Sequence, residues 1–301
     1  MLPTRHILYA TDFSAASLAA FQVACSLSRE PGSQLLVLHV LVPPATVLEM
    51  EQAFLAPEER FKHAMDELLR LRPAEEGTLT DYLLRQGEPA EEILRAAEER
   101  DCDFIVLGTH GRSGLGRVIM GSVAEAVLRR ATCPVITMRS GASLQPLRTV
   151  LYATDLSESA DRAFPVARAL AQRHRASLVI LHVYPPSISH AEEVARRPPD
   201  GYIDALWEAL HRYEVADASV AVTHRLAEGD AAREIVRAAQ ELKCDLLVLG
   251  TQGRTGVRRV LMGSVAEKVI RQAPCPVLTV GPAAKEKGIA PSAEAGECAG
   301  F

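Results

Sequence analysis

Two glycine-rich stretches carry the residue types and spacing best suited to chemistry. The first runs Gly108-Thr-His-Gly111-Arg-Ser-Gly114-Leu-Gly116-Arg-Val-Ile-Met-Gly121-Ser122-Val123. The second runs Gly250-Thr-Gln-Gly253-Arg-Thr-Gly256-Val-Arg-Arg-Val-Leu-Met-Gly263-Ser264-Val265, so both read G-x2-G-x9-G-S. Glycine after a strand lets the backbone turn with positive φ and approach a ligand closely. The Gly-Ser step then opens a helix, whose unpaired N–H groups and positive dipole end favour a phosphate. The Ser122 and Ser264 hydroxyls add donors, and Arg112, Arg117, Arg254 and Arg259 bring positive charge. A second pair of features is Thr11-Asp12 and Thr154-Asp155, each closing an apolar run. A carboxylate accepts only, which suits a ribose hydroxyl or a base edge; capping the next helix is the competing reading, and the two are compatible. The Val40 and Val183 backbones, at the ends of the second apolar runs, are placed to line a base pocket.

Other chemistries fit less well. Neither loop contains G-x4-G-K-[ST], so the lysine of a P-loop is missing. Neither follows the first strand as G-x-G-x-x-G, which argues against a dinucleotide fingerprint. His39 and His182 occupy matching apolar runs without Cys, His or carboxylate at zinc-like spacing, and read as core histidines rather than metal ligands. His110 becomes Gln252 in the second loop, so no catalytic role is shared at that position. Cys102/Cys244 and Cys133/Cys275 recur in step and read as packing positions. No pair of residues common to both loops presents itself as a water-positioning base, so any hydrolysis of a bound phosphate compound is expected to be slow.

The elements that must position these residues are duplicated. RHILYATDFS at 5–14 returns as RTVLYATDLS at 148–157, and residues 102–137 match 244–279 at 24 of 36 positions. The offset changes from 143 to 142 between these blocks, which implies one net deletion in a loop. A period this long makes each copy a whole domain. Domains are expected over 1–140 and 147–281, with a small-residue linker between them and an Ala/Gly/Glu/Lys-rich tail over 282–301 expected to be disordered. In the first copy the patterns predict strands at 6–11, 34–41, 79–85, 103–108 and 134–138. They predict helices over 14–29, up to about 71, over 89–100 and over 121–131, with Ser14 as a cap and Pro89 in a first turn. A long excursion occupies 43–58, and the second copy is expected to repeat the order. Strands alternating with helices imply an α/β fold with a doubly wound parallel sheet, whose ligands sit beyond the C-terminal strand ends where strand order reverses.

Composition sets the outer limits. The chain has 301 residues, 33 basic and 38 acidic side chains and a net charge of −5. That mild acidity excludes the broad positive surface of a general nucleic-acid binder, and 5% aromatic residues leave few stacking platforms for single strands. No apolar run is long enough to span a membrane. The N-terminus lacks the pattern of a secretory signal, and the six scattered cysteines do not resemble a disulfide scaffold. A reducing cytoplasm is the expected location.

The pattern A-T-D plus G-x2-G-x9-G-S, present twice over about 280 residues, resembles the universal stress protein family in its tandem, ATP-binding form. The resemblance implies two five-stranded parallel sheets of order 3-2-1-4-5 related by a pseudo-two-fold, like adenine-nucleotide alpha hydrolases. It implies ATP phosphates and ribose at Gly108, Gly111, Gly121 and Ser122, and at Gly250, Gly253, Gly263 and Ser264, with Arg112, Val123, Arg254 and Val265 alongside. Asp12 and Asp155 fall at the adenine or ribose, flanked by Thr11 and Thr154. Mg²⁺ is expected to enter on the phosphates. Domains in this family pair through their fifth strands, here 134–138 and 276–280 of one chain. A nucleotide-responsive stress module acting on a protein partner is the function implied. Two readings stay open beside it: a nucleotide-independent protective or interaction module with vestigial glycine loops, and, less favoured, a transferase or ligase. A chain with this symmetry can also offer a self-complementary face to a second copy.

Overall fold

The computed structural model describes residues 5–29, 32–43, 56–73, 77–109, 120–139, 146–186, 200–253 and 262–285. The first half contains β1 (His6–Thr11), α1 (Ala15–Leu27), β2 (Gln34–Leu41), α2 (Pro57–Arg70) and β3 (Leu79–Gln86). It continues through α3 (Pro89–Glu99), β4 (Phe104–Gly108), α4 (Ser122–Arg130) and β5 (Val135–Met138). The second half contains β6 (Thr149–Thr154), α5 (Glu158–Asp161), α6 (Phe164–His174), β7 (Ser177–Tyr184) and α7 (Tyr202–His211). It ends with β8 (Val222–Glu228), α8 (Ala231–Glu241), β9 (Leu246–Gly250), α9 (Ser264–Gln272) and β10 (Val277–Val280).

The order differs between halves at one point. The helix that is continuous as α1 is split into α5 and α6 in the second half. Pro165 in the first turn of α6 cannot donate to the carbonyl of Asp161, and its ring crowds that carbonyl, so the helix must restart. The excursion expected over 43–58 lies almost wholly outside the described residues, as does the tail beyond Lys285.

Each half has the order 3-2-1-4-5, and the two halves join into one ten-stranded sheet, β3-β2-β1-β4-β5-β10-β9-β6-β7-β8. Every pairing is parallel except the seam, where β5 and β10 run antiparallel with Ile136 opposite Leu278. The seam is reciprocal: the Thr137 hydroxyl donates to the Val277 carbonyl and the Thr279 hydroxyl to the Val135 carbonyl, each at 3.3 Å. That exchange places an approximate two-fold axis at the seam, perpendicular to the sheet.

The strands are buried on both faces, as their apolar runs require. Alternate residues face opposite layers. In β1, Leu8 and Ala10 belong to the layer covered by α3, α4, α8 and α9, while Ile7 and Tyr9 belong to the layer covered by α1, α2, α6 and α7. Both layers run across the seam without interruption. Burying each Leu or Ile contributes about 1.5–3 kcal/mol. Cys244 and Cys275 meet in one layer with sulfurs 3.3 Å apart, and their contact together with burial pushes the Cys244 thiol far up, which makes it inert packing. No helix among the described residues is long and apolar enough to cross a membrane.

Because the layers are shared, the halves should unfold together. Trp207, the single tryptophan, reports on the second half, and far-ultraviolet circular dichroism reports on both. In urea the two signals should give one midpoint, and Leu278→Ala should lower both by about 2–4 kcal/mol. Separated midpoints would mean independent halves.

Candidate functional site

At the C-terminal end of each β1-type strand the chain makes the same tight turn. The Thr11 hydroxyl accepts the Phe13 N–H at 3.0 Å, and Asp12 accepts the Ser14 N–H at 3.0 Å. Thr154 and Asp155 accept the N–H groups of Leu156 and Ser157 at 3.0 and 3.1 Å. The turn holds Phe13 and Leu156 at φ of 62° and 63°, which costs a non-glycine residue about 1–2 kcal/mol. The helix caps are Ser14 and Ser157, whose side chains accept from Ser17 and Ala160 N–H groups. The aspartates therefore brace the turn rather than cap the helix. Burial raises the Asp12 carboxyl, but hydrogen bonds from Ser14 and Ser17 outweigh it and hold the group below its ordinary 3.8.

Two buried side chains fix this turn from behind. His39, opposite Thr11 in register, places Nδ1 2.7 Å from the Thr11 carbonyl, and His182 does the same to Thr154 at 2.8 Å. Since a carbonyl only accepts, each ring carries its proton on Nδ1. Tyr9 and Tyr152 donate to the carbonyls of Ser17 and Ala160 at 2.7 and 3.0 Å, tying strand to helix.

The β4-type strands end beside this turn. Among the described loop glycines, positive φ is not the reason for the residue type: Gly108, Gly121, Gly250, Gly253 and Gly263 all lie outside that region. Close approach is the reason. A Cβ on Gly108 would sit 2.6 Å from the Ser17 nitrogen, and one on Gly250 3.2 Å from the Ala160 Cα. A Cβ on Gly253 would sit 2.6 Å from Asp155 Oδ2, so glycine lets the second loop reach the carboxylate. Each loop is closed at its base by one bond that spacing did not reveal: Gly121 N–H to the Thr109 carbonyl at 2.9 Å, and Gly263 N–H to the Thr251 carbonyl at 2.7 Å. Gly121 and Gly263 are the N-caps of α4 and α9 and supply no side-chain cap, unlike Ser14, Glu88 and Asp230 at α1, α3 and α8. The first-turn N–H groups of α4 and α9 thus have no side-chain cap.

These parts enclose a cavity in each half, of about 390 Å³ in the first and about 310 Å³ in the second. Both volumes fall within the range of small-molecule sites. The first brings together Thr11, Asp12, Val40, Gly108, Gly121, Ser122 and Val123. The second brings together Thr154, Asp155, Val183, Gly250, Gly253, Gly263, Ser264 and Val265. Gly111, Arg112 and Arg254, with Arg117, Arg259 and His110, lie outside the described residues. Met120 and Met262 pack into the apolar layer. Pattern reading missed Pro89 and Ile93, with Ala231 and Ile235, which α3 and α8 contribute to the walls, and it missed Ser17 and Arg60 in the first cavity alone. The matched Gly-Thr steps at 108–109 and 250–251 were a usable signal for the loop base; Arg60, which the repeat does not match with an arginine, left none.

Comparison with known proteins agrees with this architecture. The model of the universal stress protein family matches residues 3–139 and 146–281, so the chain belongs to that family with two tandem domains. A universal stress protein of Mycolicibacterium smegmatis is 27% identical over 92% of this chain and 97% of its own length. One from Thermus aquaticus is 38% identical over 44% of this chain and 98% of its own. A solved universal stress protein from Archaeoglobus fulgidus superposes with a TM-score of 0.70 at 23% identity, covering 92% of this chain and 98% of that one.

The geometry sets two expectations. Gly108→Ala, which drives a methyl into the α1 backbone, should cost about 1–3 kcal/mol in urea unfolding, and Gly250→Ala should cost less because its nearest atoms are farther away. The depressed Asp12 carboxyl stabilises the fold above pH 3.8 and that contribution is lost as pH falls through the folded value. Asp12→Asn should therefore flatten the acid limb of the stability–pH curve below pH 4.

Proposed function

For this two-domain universal stress protein, we propose that each half binds one ATP and that occupancy changes the surface offered to a protein partner. The observation that carries this reading is the duplication of a whole cavity. A half-buried carboxylate, a strand-end glycine and a helix start without a side-chain cap converge beyond the C-terminal strand ends in both halves. That is where open α/β sheets receive ligands. The α4 and α9 N-termini, with Ser122 and Ser264, suit phosphates. Asp12 and Asp155 suit ribose or base donors, and Val40 and Val183 suit the flat base. The donor set fits a magnesium nucleotide rather than a resident metal: among the described residues no three His, Cys, Asp or Glu side chains form a cluster. Mg²⁺ would ride on the phosphates with one or two side chains. Hydrolysis is then slow, below ~1 per second, and binding rather than turnover is the signal.

One observation favours a second reading. Gly108 and Gly250 are required by packing against α1 and α5 whether or not a ligand is present, so a nucleotide-independent interaction module would keep them too. Calorimetric titration with Mg-ATP separates the two. Wild type should bind about two ATP per chain, and Ser122→Val or Ser264→Val should each remove one while circular dichroism stays unchanged. No heat in wild type, with no nucleotide released on denaturing fresh protein, would leave the interaction reading standing.

A further inference from the structure

The two cavities have matching frames but different mouths. Their second strands end on Leu41 in the first half and Tyr184 in the second, and in register with these stand Gln86 and Glu228. The buried pairs Ala64/Leu206 and Leu68/Leu210 align α2 with α7, and this alignment sets Arg60 against Tyr202. Arg60 and Leu41 line the first cavity, whereas their counterparts Tyr202 and Tyr184, whose rings lie 6.4 Å apart, do not line the second. At the aligned helix position the first cavity thus has a wall cation that the second lacks.

Arg60 belongs to the wall of the first cavity. It donates to the Val42 carbonyl at 3.3 Å, which orients the guanidinium without neutralising it, and among the described residues no carboxylate pairs with it. No α7 residue lines the second cavity. The interiors differ in the same sense. Ser17 keeps a hydroxyl 3.1 Å from that of Thr11 in the first cavity. In the second its place is taken by Ala160, and Thr154 turns instead to Tyr213, 3.2 Å away.

We infer that the two sites are unequal. The first, through Arg60, selects the more highly charged adenine nucleotide, and the second, to whose wall α7 contributes no cation, discriminates less by phosphate charge. This rests on the nucleotide reading above. One unit charge at a partly open cavity wall corresponds to roughly a 3- to 10-fold difference in affinity for a polyanion at low salt.

Calorimetric titration of the full chain with Mg-ATP at low and at physiological ionic strength tests it, with adenosine as the uncharged control. Wild type should show two phases with ATP, and added salt should bring them together. Arg60→Gln should weaken the tight phase roughly 3- to 10-fold and leave adenosine binding unchanged. Two equal ATP sites indifferent to Arg60→Gln and to salt would overturn the inference while leaving nucleotide binding intact. Loss of adenosine binding along with ATP in Arg60→Gln would also overturn it, since the residue would then be structural. Absence of heat with either ligand in every form would overturn the nucleotide reading and this inference with it.

Discussion

Strand β1 leaves the chain's next crossover on one side and pairs with β4 on the other, and that divergence opens the cavity. It pairs with β2 on one side and β4 on the other, and both its faces are covered, so its C-terminal end is where its polar groups meet the cavity. There the Thr-Asp turn, the strand-end glycine and the start of α4 are forced into one small volume. The same constraint acts on β6 and β9 in the second half. Strained φ values at Phe13 and Leu156 persist because His39 and His182 hold the preceding carbonyl and the threonine hydroxyl takes the next N–H.

The seam extends that logic across the chain. Joining β5 to β10 leaves no edge in the middle of the sheet and makes two apolar layers continuous from one half to the other. An antiparallel join needs a two-fold perpendicular to the sheet, so the two cavities open at opposite ends of the sheet. Each is built by its own half alone. Duplication therefore stabilises the molecule jointly while leaving each site free to diverge, and divergence is visible at Arg60 and Tyr202, at Gln86 and Glu228, and at the buried pair Ser17 and Ala160.

Asp12, Gly121 and Ser122, far apart in sequence, were legible as one site because their spacing recurs a second time with independent flanking residues. The roles given to individual glycines were less legible. Positive φ was the expectation, whereas Gly108 and Gly253 are small because α1 and the Asp155 carboxylate lie against them. The split of α5 from α6 follows from Pro165, a local rule that the strength of the repeat obscured.

Period-two and period-3.6 apolar patterns, and the recurrence of whole blocks, are local properties of the chain, and they determined by themselves the α/β class, the two-domain organisation and the candidate residues. Contacts between distant segments are not local, and only the tertiary structure decided them: which histidine braces which carbonyl, which glycine faces a helix, and that Arg60 on α2 reaches the cavity while Tyr202 on α7 does not line its own. A side chain's place in a cavity depends on how its helix is seated on the sheet. That seating is set by buried residues such as Leu68 and Leu210 rather than by the exposed residue itself.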